Sequence, residues 1–73
     1  MRKIRQKRGF VAYAIKHYTI QDWHWVMEVY DERPATPIYL PVFSETFHAD
    51  KLDDLSQKAK AIVSKLAVAA GKN

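Results

Sequence analysis

Ser44, Glu45, Thr46 and His48 bring a hydroxyl, a carboxylate and an imidazole into one short stretch, the residue types of a nucleophilic triad. A triad needs groups that converge from different parts of a scaffold, whereas neighbours on one segment point in different directions. No catalytic site is expected from them, and the chain reads as non-enzymatic. His17, His24 and His48 raise the question of a metal. Zinc sites are recognised by ligand spacing and usually by cysteine, and this chain has neither the spacing nor a cysteine. Neither a metal site nor a cofactor is expected. His24, between two tryptophans, reads as an exposed strand residue, and His48 as a loop residue.

The cations are more informative. The net charge of +4 divides into +6 over residues 1–21, −6 over residues 22–54 and +4 from residue 55 onward. The first block holds Arg2, Lys3, Arg5, Lys7, Arg8 and Lys16 and no acid. Such a cationic stretch is either a solvated tail or the footprint of an anionic partner. Beside it lie aromatic residues, Tyr18 and Tyr30 among them. Aromatics interleaved with lysine on a sheet, next to a basic arm, are the parts of a platform where bases stack and cations follow the phosphates. The candidate nucleic-acid-binding residues are therefore Arg2, Lys3, Arg5, Lys7, Arg8, Lys16, Tyr18 and Tyr30, with DNA or RNA as partner. A sheet of three strands with a C-terminal helix also occurs in domains that enter the DNA major groove, for which Lys16, Gln21, His24 and Arg33 would be the reading side chains.

With 73 residues, 48% hydrophobic and 27% charged, the chain is long enough for one small core and too apolar for disorder. The absence of cysteine fits a reducing, cytoplasmic setting. The basic start lacks the features of a signal peptide, and no apolar run is long enough to span a membrane.

These groups must be positioned by few elements. Residues 1–9 predict a flexible basic arm ending at Gly9, and residues 10–73 a single domain. Phe10–Tyr18 and Trp23–Tyr30, rich in β-branched and aromatic residues, predict a hairpin across Thr19–Asp22. The two prolines of Asp31–Pro37 predict a loop, and Ile38–Phe43 a short third strand with Pro41 at an edge. Leu52, Leu55, Ala59, Ile62, Val63, Leu66 and Ala70 recur at helical spacing, with Asp50 and Asp53 as an N-terminal capping box and Gly71 past the end. The expected fold class is α+β: a three-stranded antiparallel sheet with one C-terminal helix packed on one face, in the order β-β-β-α.

Both alternating faces of the hairpin are apolar, so its register matters. With Tyr18 opposite Trp23, Lys16 lands opposite Trp25 in the core. With Thr19 opposite Trp23, Val11, Tyr13 and Ile15 join Trp25, Met27 and Val29 under the helix, and Lys16 lies with Glu28 on the other face. The second register is preferred because it removes a lysine from the core. It leaves Phe10, Tyr18, Tyr30, Tyr39 and Phe43 on an uncovered face, too apolar for a monomer without a partner. A second reading follows: a protein-interaction module using that face, a small regulator or inhibitor of phage or mobile-element type, or a homodimer.

Overall fold

Lys7 pairs with Phe10 across Arg8 and Gly9, which both have positive φ, 53° and 88°. Positive φ at both central residues marks a two-residue hairpin turn whose twist matches the strands it joins. The computed structural model, which describes residues 2–71, therefore opens with a strand. Arg2–Lys7, expected as a flexible arm, forms β1. It is followed by β2 (Phe10–Tyr18), β3 (Trp23–Asp31), β4 (Phe43–His48) and α1 (Leu52–Ala70). The sheet is an antiparallel meander in the order β1-β2-β3-β4, so four strands replace the expected three. Met1 of the expected arm, and Lys72 and Asn73 of the expected domain, lie outside the described residues.

Gly9 could hardly be another residue. A Cβ there would lie 2.6 Å from Arg33 Cγ and 3.2 Å from its Cα, and the Gly9 carbonyl accepts from Glu32 N–H at 2.7 Å. Gly9→Ala is expected to cost about 1 to 3 kcal/mol through left-handed strain and this close approach. A lowered urea midpoint at unchanged slope is the measurement.

The hairpin register is the one expected to be unfavourable: Tyr18 faces Trp23 and Lys16 faces Trp25. Two causes act. Thr19 and Asp22 close the loop on themselves, with Thr19 N–H donating to the Asp22 carbonyl at 2.7 Å and Asp22 N–H to Thr19 Oγ1 at 3.0 Å. Thr19 is thus used by the turn and does not face Trp23. Lys16, in turn, stays exposed and sets its ammonium 4.9 Å from the centre of the Trp23 ring and 5.6 Å from that of Trp25. A lysine stem along apolar surface with its head over indole faces does not bury a charge.

Phe10, Ala12, Ala14, Trp25, Met27 and Val29 consequently form the face that meets Leu55, Ala59 and Val63 of α1. The alanines let helix and sheet approach closely. The helical stripe holds, except that Ala67 is buried while Ile62, Leu66 and Ala70 are partly buried. Lys51, not Asp50, occupies the helix N-cap, without a side-chain cap; the Asp50 carboxylate instead meets His48 Nδ1 at 2.7 Å. That contact holds the Asp50 carboxyl below the usual carboxylate range.

Ile38–Val42, expected within the third strand, is loop. Ile38, Tyr39, Leu40 and Val42 are all exposed, and the strand begins only at Phe43. Earlier in the loop, Arg33 clasps Asp31 with Nε at 2.9 Å and Nη2 at 2.6 Å while lying over the Phe10 ring. Hydrogen bonding from Arg33 lowers the Asp31 pKa, so this tie contributes above the ordinary carboxylate range and is lost only as pH falls through the lowered value.

Candidate nucleic-acid interface

β1 is an edge strand, and alternation sorts its cations. Arg2, Arg5 and Lys7 share rows with Ala14, Ala12 and Phe10 on the helix side, while Lys3 shares a row with Tyr13 on the other. A bulge between Lys3 and Arg5 lets Ile4 pack against the core without turning the cations inward. Ile4 anchors a strand that is otherwise charged and exposed. At the turn, the Arg8 guanidinium lies against Gly71 at the helix C-terminus, where a Cβ would sit 2.5 Å from Nη1.

Three depressions follow this edge. One is lined by Arg2, Ala14, Ile15, Lys16 and Trp25, the next by Arg5, Gln6, Lys7, Lys60, Val63 and Ser64, and the last by Lys7, Arg8, Ala67, Val68 and Gly71. A basic band thus runs the length of β1, about 20 Å at the usual rise per strand residue. Among the described residues the ion pairs are Arg33 with Asp31, His48 with Asp50, and Lys58 with Glu45. None involves Arg2, Arg5, Lys7, Arg8, Lys16 or Lys60. The physical reason is topological. All eight acids lie between Asp22 and Asp54, and a meander converts order along the chain into order across the sheet, so the acids fall from the β2–β3 turn onward.

At one end the band meets aromatic rings. Trp23 packs edge-on against Trp25 at 5.5 Å, and Tyr18 lies 6.5 Å from Trp23 at a 40° tilt. Trp25 is buried, Trp23 half-buried, and Tyr18 69% exposed. Tyr18 therefore offers a ring to a ligand, backed by Trp23, with Lys16 on the same face alongside.

Tyr30 belongs elsewhere. It pairs with Val11 on the face away from the helix, where its hydroxyl donates to Glu28 at 2.7 Å and that of Tyr13 donates to Glu32. Those hydrogen bonds, then burial, raise both tyrosine pKa values. The two rings meet edge to face at 5.8 Å, beside a fully buried Val11. The two tyrosines cover the Val11 part of this face, and its carboxylates oppose a phosphate. Phe10 and Phe43, expected here, lie on the helix side instead, beside Ala12 and Ala14, and Tyr39 is in the exposed loop. Lys3, on this face, reaches Gln6 Oε1 at 3.4 Å.

The structure therefore gathers Arg2, Arg5, Lys7, Arg8, Lys16 and Tyr18 into one surface, leaving out Lys3 and Tyr30. It adds Lys60 and Trp23. Lys60 could be found only with β1 in place, because its helix face otherwise reads as solvated. Trp23 was hidden among core residues. Of the triad-like stretch, Ser44, Thr46 and His48 share one face of β4, while Glu45 alternates to the other and pairs with Lys58 at 3.5 Å. No helix among the described residues is long and apolar enough to cross a membrane. Comparison of the chain with protein-family models, with curated proteins and with solved structures finds no match.

Proposed function

We propose that this chain is a non-enzymatic nucleic-acid-binding module that lays a single strand along β1, phosphates on the cation band and a base on Tyr18. The carrying observation is a group of six cations, Arg2, Arg5, Lys7 and Arg8 along the edge with Lys16 and Lys60 beside them, with no ion-pair partner among the described residues. Edge strands also use lysine and arginine to prevent sheet-to-sheet pairing, but that role needs no Lys60 across the groove and no aromatic ring at its end. A single strand is favoured over a duplex because the exposed Tyr18 ring has use only for an unstacked base.

The test is a fluorescence anisotropy titration with single-stranded and duplex oligonucleotides. Tyr18→Ala is expected to weaken single-strand binding about 5- to 150-fold, the equivalent of one lost stack, with thermal stability nearly unchanged because the ring is exposed. Equal binding by parent and variant would remove the aromatic part of the site.

The exposed apolar loop favours a second reading, a protein-interaction module. Ile38, Tyr39 and Leu40 project between Pro37 and Pro41, in a segment tied to no strand. That reading no longer needs the open sheet face. Self-association lost on replacing Tyr39 and Leu40 by Ser, with no nucleic-acid binding by the parent, would favour it.

A further inference from the structure

The sheet has two edges, and the chain treats them differently. β1 carries Arg2, Lys3, Arg5 and Lys7 and is interrupted by a bulge, the devices that keep an edge from pairing with another strand. β4 has neither. Its register with β3 is continuous, it holds no lysine, arginine or proline, and its one carboxylate, Glu45, is tied to Lys58 at 3.5 Å. Among the described residues its backbone has no partner outside β3 save Lys51 N–H, which donates to the His48 carbonyl at 2.9 Å. The N–H and C=O groups on its outer side are thus open to another strand. The apolar surface beside that edge is also incompletely covered. α1 lies toward β1 and reaches β4 least, which leaves Phe43 and Phe47 half-buried. Leu40 and Val42, just before the strand, are exposed.

We propose that β4 pairs antiparallel with β4 of a second copy of this chain, joining two sheets into one of eight strands. A second copy is selected because the strand is self-complementary. About a two-fold axis normal to the sheet both helices stay on one side, and Phe43 and Phe47 meet the partner's helix-side row and not its polar row. Within that arrangement, centring on Glu45 sets carboxylate against carboxylate. Centring on Thr46 sets Thr46 opposite the partner's Thr46, Glu45 opposite the partner's Phe47 and Ser44 opposite the partner's His48, with no like charges face to face. The start of each β4 then lies beside the end of the other, where Leu40 and Val42 extend the apolar contact.

Seven strand spacings of about 4.8 Å separate the outer edges, so the two β1 strands stand roughly 34 Å apart along the sheet. On the nucleic-acid reading above, the dimer offers two single-strand sites, and a strand long enough to reach both binds more tightly than one that reaches a single site. The dimer itself does not rest on that reading.

The chain has no cysteine, so a single introduced thiol reports the contact. Thr46→Cys places two thiols across the axis with Cα atoms about 4.5 to 5.5 Å apart, within disulfide reach. Under mild oxidation without oligonucleotide it is expected to form a covalent dimer in high yield, while Gln6→Cys on the β1 edge stays largely monomeric. Thr46→Lys brings two ammonium groups together on the axis and is expected to turn the parent's dimer into a monomer in sedimentation velocity, with circular dichroism unchanged because Thr46 is exposed. A parent that sediments as a monomer at every concentration, or equal cross-linking from the two cysteine positions, would overturn the proposal. So would a folded Thr46→Lys chain that dimerises like the parent, the result expected of contact through the apolar loop alone. Should Thr46→Lys fail to fold, the parent's sedimentation and the two cysteine variants decide.

Discussion

Met27→Ala is expected to destabilise the fold by about 2 to 5 kcal/mol, the range for truncating a buried methionine. Met27 sits at the middle of β3, paired with Ala14 on one side and Glu45 on the other, and has no exposed surface. Its neighbours in the core include Ala12, Ala14 and Ala59. Small residues cannot extend into a void, so the cavity would persist and the cost should lie toward the upper part of the range. A chain of 73 residues has a stability of about 4 to 11 kcal/mol at the usual 0.05–0.15 kcal/mol per residue. The substitution would therefore remove a large share of it. Val68→Ala on the exposed side of α1 serves as control, with an expected change within about 0.5 kcal/mol. Urea unfolding of the two variants separates them; equal midpoints would mean that the helix does not pack on this face.

The parts of this fold that bury apolar surface periodically were legible, and the parts that do not were hidden. The stripe on α1 and the β2–β3 hairpin carry strong patterns, and both elements form. β1 contributes only Ile4 to the core, so its other side chains follow the chemistry of an exposed edge and resemble a solvated tail. In the last strand, Phe43 and Phe47 alternate with polar residues, but the more apolar Ile38–Val42 before it drew the assignment. Proline at positions 37 and 41 was the contrary signal, since a ladder cannot use their missing N–H groups. The register turned on one residue. Because strand alternation has period two, a slip of one exchanges the faces. In the register that forms, Tyr18 and Tyr30 are parted and the three histidines share a row. Keeping lysine out of the core was the wrong criterion, since Lys16 satisfies it by rising over two indole rings.

Removing the middle of the cation band should have the larger functional effect. Arg5→Gln, Lys7→Gln and Arg8→Asn together delete three charges while leaving Arg2 and Lys3 to guard the edge. Asparagine is chosen at position 8 because it tolerates the positive φ found there. Each phosphate contact to a single strand contributes roughly 0.7 to the slope of log affinity against log salt. Loss of three therefore weakens binding about 100-fold at 0.1 M salt. The variant should melt close to the parent, since all three side chains are exposed.

The salt dependence of single-strand binding tests the central claim most directly. Six cations on phosphates give an expected slope of about −4 for the parent and about −2 for the triple variant, measured by anisotropy between 50 and 200 mM salt. A parent slope near zero, or the same slope for both chains, would contradict a phosphate-binding edge and leave β1 as a charged strand that only protects its sheet.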